Sequence, residues 1–517
     1  MEAKACVLVV LDGFGVSRED LSNPIFVAEP KNFQYLKENY AYGALQANGM
    51  AVGMPWGQGG DSRVGHLAIG AGRIVYQNSA RISQAVKDGT FNSNPELLSV
   101  ISSANTSSKA LHLVGLLSEG VVHANIEHFQ AMLALAKSQG LEKVYMHFFS
   151  DGKDSAPRSV VSLVERVRGI ADSVGVGVVS TIIGRYYGMN SNGDWKKTER
   201  VFQLLTELRG QTGSFSQFVD ELYAQGRNDD FLSPFVFENA APIQNGDSVV
   251  FMNFQEEGIR QLAGAFSLTD FTGFSRSLPP NIHLVSLTNY SEMFQSIRVA
   301  FPEQEIDDCL AQVISEKGLA QMSVGESINY ASTAYYFNGL SDEAFENQFI
   351  VSIPSNDIVS QAQKPEMKAS AVASRVVQAI EEQSYKFILA NFVNADIVAQ
   401  AGDFNATVAA IKAVDEALGS IVRACEAQKV ALIVTSSHSN AERVVNPITG
   451  EVETRLDANP VPFILASPGF KKGTPSVPVR QTQAIGMLAD VAPTILELLG
   501  IEKPALMTGR SLLRFLR

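Results

Sequence analysis

Cys6-Val-Leu-Val-Val-Leu-Asp-Gly13 is a short, largely β-branched apolar run that stops on Asp12 and Gly13. The same form recurs down the chain. Residues 111–117 lead into Ser118 and His123, 144–149 into Asp151-Gly152-Lys153-Asp154, and 176–183 into Gly184-Arg185-Tyr186-Tyr187. Residues 248–252 lead into Asn253-Phe254-Gln255, 387–390 into a loop ending at Asp396, and 430–434 into a loop carrying Ser437-His438. Stretches of helical periodicity lie between them, for example 126–139 and 407–428. Strands alternating with helices predict an α/β protein whose parallel sheets are covered on both faces. In such sheets the polar residues at the carboxyl ends of the strands line the ligand crevice, so these loops are where chemistry belongs.

A chain of 517 residues is long enough for more than one domain. Crossings near 76–81 and 289–302 predict an inserted domain over 78–299 and an outer domain made of 1–77 and 300–517. With 54 acidic against 41 basic residues the net charge is −13, which disfavours nucleic acid as a partner. Anionic substrates are also disfavoured unless a local Arg and Lys cluster overrides the global field. No apolar run approaches the ~18 residues of a membrane span. Cys6, Cys309 and Cys425 are scattered and form no ligand pattern, as in a reduced, cytoplasmic protein with inert thiols.

The segment Gly57-Gln-Gly-Gly-Asp-Ser62-Arg-Val-Gly-His66-Leu-Ala-Ile-Gly-Ala-Gly-Arg73 carries the most chemistry. A Gly-rich approach followed by Ser and a helical pattern places a nucleophile at a helix N-terminus, where the dipole favours a developing anion. A plain Ser cap after a glycine turn explains the segment equally simply. Asp12, Asp396 and His438, each just after a strand, change the balance. Carboxylates and an imidazole at neighbouring strand ends are the donors that hold divalent cations beside such a serine.

These motifs together resemble cofactor-independent phosphoglycerate mutase, a family of the alkaline phosphatase superfamily. The resemblance continues through Arg73-Ile-Val-Tyr-Gln77, Tyr336-Phe-Asn-Gly339, Asn440-Ala-Glu442, Asn459-Pro-Val-Pro462, Asp490-Val-Ala-Pro-Thr494 and Thr508-Gly-Arg-Ser511, in order from end to end. It implies an alkaline-phosphatase-like domain holding two Mn or Zn ions and a phosphorylated Ser62, with an inserted α/β transferase-like domain that grips phosphoglycerate.

Position by position the agreement is partial. Asp12, Ser62, Asp396 and His438 match the family's metal site, whereas Ser437, Gln400 and Leu456 stand where it has an Asp and two His. In the transferase domain His123, Asp154 and Arg185 match and Lys153 replaces an Arg. Ser191, Gln255 and Gly258 stand at further Arg positions, and Asn329 at that of a Lys reaching toward the phosphate. Leucine cannot ligate, and an amide is a poor substitute for imidazole. Phosphate recognition wants forked Arg donors. The sequence therefore predicts no cofactor, or one weakly bound Mn or Zn, with two-metal occupancy not expected. It predicts a pseudoenzyme that serves as a binding or structural module for an unidentified protein partner, monomeric outside any assembly. The alternative is an active mutase converting 3-phosphoglycerate to 2-phosphoglycerate through phospho-Ser62 at a remodelled site. Arg63, where the family is acidic, is expected to face solvent or pair with Asp61 or Asp12, and His66 to be structural.

Overall fold

The computed structural model describes residues 3–516 except 305, 447, 448, 450, 454, 455 and 473–483. The chain divides into two compact units, Met1–Tyr76 with Glu305–Arg517, and Gln77–Gln304. Among the described residues no helix is long and apolar enough to cross a membrane.

The first unit is built on an eight-stranded sheet in the order Gln348–Ile353, Gln321–Glu326, Phe387–Phe392, Cys6–Leu11, Ala431–Thr435, Val461–Ala466, Ala41–Gln46 and Ala484–Met487. The first five strands are mutually parallel, and Val461–Ala466 runs antiparallel to both its neighbours. Cys6–Leu11 lies near the middle with every residue buried, which is why it reads as continuous apolar sequence instead of an alternating one. One face packs on helices Ala369–Glu382 and Phe404–Gln428, the other on Ser62–Ala71 and Val491–Leu498. The three central strands end at Leu11, Phe392 and Thr435, so Asp12, Asp396 and Ser437-His438 emerge from one edge.

The second unit holds a seven-stranded sheet in the order Phe235–Val236, Val178–Gly184, Val144–Ser150, Leu111–Leu117, Ser248–Phe251, His283–Ser286 and Ile297–Val299. All pairs are parallel except the edge pair with Phe235–Val236. The stretch 289–302, irregular in sequence, contains the edge strand Ile297–Val299, and the second compact unit runs to Gln304. Short edge strands of mixed polarity carry too little periodicity to announce themselves. Cys6, Cys309 and Cys425 are all free and buried.

Candidate functional site

Ser62 is the first residue of helix Ser62–Ala71, and Asp61 caps that helix by accepting from the Val64 N–H at 2.8 Å. The helix approaches the strand edge closely because Gly65 has no side chain. A Cβ there would lie 2.1 Å from the Ser437 carbonyl oxygen. Gly65→Ala is therefore expected to push the helix off the Ser437 loop, lowering stability by about 3 kcal/mol, with turnover falling in parallel. Chemical denaturation and an activity assay on one sample check this.

Asp12 is the hub. It is fully buried and accepts five hydrogen bonds. Oδ1 takes His66 Nε2 at 3.0 Å and Ser437 Oγ at 2.5 Å. Oδ2 takes Ser62 Oγ at 3.0 Å, Asn329 Nδ2 at 2.9 Å and Asn391 Nδ2 at 3.1 Å. Burial raises the pKa of the Asp12 carboxyl, but His66, His438 and the Ser437 hydroxyl outweigh it and bring it down to about 2. Asp396 accepts from His438 Nε2 at 3.0 Å and Asn440 Nδ2 at 2.8 Å on one oxygen, and from Gln400 Nε2 at 2.9 Å on the other.

His438 joins the two carboxylates. Its Nδ1 is 2.9 Å from Ser437 Oγ, which donates on to Asp12. Burial lowers the basicity of this imidazole, yet the adjacent Asp396, reinforced by Asp12, raises its pKa to about 9. As an imidazolium it donates to Asp396 on one side and to Ser437 on the other. Ser437, at a position where the resemblance implies an acid, thus relays hydrogen bonding between the two halves of the pocket.

Three further residues belong to this pocket and were given no part in its chemistry from the sequence. His66, expected to be structural, sits one helical turn after Ser62, and that i, i+4 spacing is the signal that marks it. Asn391 lies inside a strand that runs to Phe392, two residues beyond the predicted limit. Glu442 is buried and accepts from the Gly15 and Asn440 N–H groups and from Asn459 Nδ2, tying the first loop to the His438 loop. Arg63 lies outside the pocket, half exposed and 4.0 Å from Asp61.

Burial raises the Glu442 carboxyl from 4.5 to about 7 against the opposing pull of Asn459. Because the folded value lies above the unfolded one, its contribution to stability is complete below pH 4.5 and is lost as pH rises through 7. Glu442→Gln is expected to flatten this part of the stability–pH curve, a difference of up to about 3 kcal/mol. Unfolding titrations between acid and mildly alkaline pH read it directly.

In the other unit the organising group is Asp151, present in the quoted motif but given no role from sequence. It pairs with Arg185 Nη1 at 2.6 Å and accepts from Ser118 Oγ and from the Lys153, Asp154 and Ser155 N–H groups. Arg185 also reaches Asp154 at 3.2 Å. Lys153 and Arg185 line a cavity of about 250 Å³ that also takes in Ser191 and Lys197. His123 is partly buried, and burial with the nearby Arg185 charge lowers its basicity. Its Nδ1 and Gln255 Oε1 are buried without a partner, as is Nδ2 of the fully buried Asn253. Gly258 lies against Met189, whose Cε would be 2.5 Å from a Cβ there, so a side chain at that position requires the Met189 side chain to move.

The donor set around Ser62 does not fit a pair of divalent ions. Among the described residues no three His, Cys, Asp or Glu side chains converge to hold one. Gln400 and Ser437 turn donor hydrogens onto Asp396 and Asp12, occupying the lone pairs a cation needs, and Leu456 offers none.

Residues 82–292 match the family model for the N-terminal region of BPG-independent phosphoglycerate mutase. The 2,3-bisphosphoglycerate-independent phosphoglycerate mutase of Symbiobacterium thermophilum is 40 % identical over 510 residues, covering 98 % of this chain and 97 % of the relative. Mutase 1 of Methanosarcina acetivorans is 37 % identical over 514 residues, covering 98 % of each. Crystal structures of Leishmania mexicana phosphoglycerate mutase at low cobalt concentration share the fold, with a TM-score of 0.62 at 23 % identity over 99 % of this chain and 98 % of that one.

These relatives overturn two expectations. A pseudoenzyme is not what end-to-end matches at this identity, all named as mutases, support. The physical reason lies in the pocket, where the substituted positions are not gaps. Ser437, Gln400 and Asn329 are absorbed into a hydrogen-bond network around Asp12, Asp396 and Ser62, so these replacements leave an organised polar site in place of the ligands they remove. The expectation of no cofactor, or of one weakly bound Mn or Zn, is contradicted by a phosphoglycerate mutase of the same fold whose structures were obtained at low cobalt concentration, although the donors around Ser62 in this chain do not match a two-ion site. End-to-end identity, the shared fold and the Ser62 pocket lead to one conclusion: the chain belongs to the 2,3-bisphosphoglycerate-independent phosphoglycerate mutase family.

Proposed function

We propose that this chain is an active phosphoglycerate mutase, interconverting 3-phosphoglycerate and 2-phosphoglycerate through a phospho-Ser62 intermediate. The observation that carries the reading is the placement of Ser62, at a helix N-terminus with its hydroxyl 3.0 Å from a buried carboxylate.

Ser62 Oγ attacks the phosphorus of 3-phosphoglycerate. The Oγ–P bond forms, the bond from phosphorus to the 3-oxygen breaks, and the Ser62 proton passes by way of Asp12 Oδ2 to the departing glycerate oxygen. In the second half the 2-hydroxyl of glycerate takes the phosphoryl group and returns a proton to Ser62, so the cycle conserves protons and phosphate. His66 and Ser437 hold Asp12 Oδ1, which leaves Oδ2 directed at Ser62. In the other unit Arg185 and Lys153 supply positive charge for an anionic ligand, and His123 offers an unpartnered ring nitrogen. Three free, buried cysteines agree with a cytoplasmic, glycolytic setting.

Trapping tests the intermediate. Rapid quenching after addition of 3-phosphoglycerate carrying a radiolabelled phosphoryl group is expected to leave label on the peptide containing Ser62. Label on another residue, or none during turnover, rejects the serine pathway.

A further inference from the structure

Asp12 is not the only group on the Ser62 oxygen. Asn329 Nδ2 lies 3.2 Å from Ser62 Oγ as well as 2.9 Å from Asp12 Oδ2. Ser332 Oγ lies 2.9 Å from Ser62 Oγ and donates at 2.8 Å to Asn329 Oδ1. The two residues follow strand Gln321–Glu326: Asn329 closes the 3₁₀ turn Ser327–Asn329, and Ser332 opens a π-helical turn, Ser332–Tyr336. Ser332 is fully buried, and the interval of three residues lets both side chains reach the same atom.

Counting protons fixes what each group can do. The single hydroxyl proton of Ser62 goes to the Asp12 carboxylate, so Ser62 Oγ is left as an acceptor toward its other two neighbours. Asn329 contributes an amide N–H. Ser332 has one proton and two acceptors within 3.0 Å, Ser62 Oγ and Asn329 Oδ1. Turning that proton from Asn329 to Ser62 requires only rotation about a C–O bond. As negative charge builds on Ser62 Oγ, in attack or when the phosphoryl group leaves it, Asn329 Nδ2 is already in place as one donor and Ser332 becomes the second by that rotation.

We propose that Asn329 and Ser332 form a two-donor clasp on Ser62 Oγ, fixing its rotamer and stabilising the serine oxyanion in both halves of the reaction. The kinetic part of this proposal rests on the mutase reading. Preorganised donors aimed at developing charge act mainly on turnover and little on ground-state binding.

The test uses the full chain with Ser332→Ala, Ser332→Thr and Asn329→Leu. Ser332→Ala and Asn329→Leu are each expected to lower kcat about ten- to a hundred-fold with KM held within about two-fold. Ser332→Thr, which keeps the hydroxyl, is expected to recover most of the loss. Crystal structures of the wild type and of Ser332→Ala give an independent arm, with Ser62 in one rotamer in the former and in more than one in the latter. Unchanged kcat in both donor-removing variants overturns the clasp. So does a loss in Ser332→Ala that Ser332→Thr fails to restore, or a single Ser62 rotamer in Ser332→Ala. The crystallographic arm needs no turnover, so an inactive wild type rejects the mutase reading while the clasp is still decided by the rotamers.

Discussion

Ser62→Ala is expected to reduce interconversion of the two phosphoglycerates by about 10⁴-fold or more, while unfolding free energy changes by only about 1 kcal/mol. The asymmetry follows from the geometry. In the proposed reaction the hydroxyl receives the phosphoryl group, yet for stability it is only one of five donors on Asp12. With it gone, His66, Ser437, Asn329 and Asn391 still satisfy both carboxylate oxygens. Steady-state assay and denaturant unfolding of the same preparation separate the two effects. A variant that retains a tenth of the activity means that the phosphoryl group travels by another route.

Asp12→Asn is expected to damage both properties. The carboxylate is surrounded by donors on both oxygens, and an amide brings one acceptor and an N–H₂ group into that shell. Whichever way the amide is turned, its hydrogens face donors: His66 and Ser437 on one side, or Ser62, Asn329 and Asn391 on the other. Hydroxyls can rotate away, but the His438 imidazolium then also loses one of the carboxylates that neutralise it. Such unmatched buried groups cost about 3–5 kcal/mol. Turnover is expected to fall roughly 10³-fold, because the acceptor for the Ser62 proton is gone. A variant of wild-type stability contradicts the placement of Asp12 as hub.

The strand-ending loops were legible in sequence because central parallel strands are buried on both faces and stop at polar residues. Cys6–Leu11 and Leu111–Leu117 have the limits their composition announces. Ala41–Gln46 and Val461–Ala466 were not foreseen: Gly43 interrupts one, and Pro462 sits inside the other. Pro462 is accommodated opposite Ala44, and its carbonyl accepts from Thr435 Oγ1.

At the site, Asp12, Asp396 and His438 were found as isolated residues just after strands and Ser62 at a helix N-terminus, and the structure brings them into one network. What sequence could not supply was the meaning of the substituted positions. Gln400, Ser437 and Asn329 read as losses when matched against ligands. In three dimensions each donates a hydrogen bond to a carboxylate left in the pocket. A substitution pattern states which groups have gone. Whether their former partners are left unsatisfied depends on distances that only the fold fixes. Asp151 and Ser332 escaped notice for a related reason, since their partners Arg185 and Ser62 are 34 and 270 residues away.

The most direct test of the account is a coupled assay for conversion of 3-phosphoglycerate to 2-phosphoglycerate by the purified wild-type chain, with and without added manganese and with metal content measured on the same sample. Turnover on the order of 1 per second or faster, abolished by Ser62→Ala, is the predicted result. A wild-type rate no higher than that of Ser62→Ala under both conditions contradicts it.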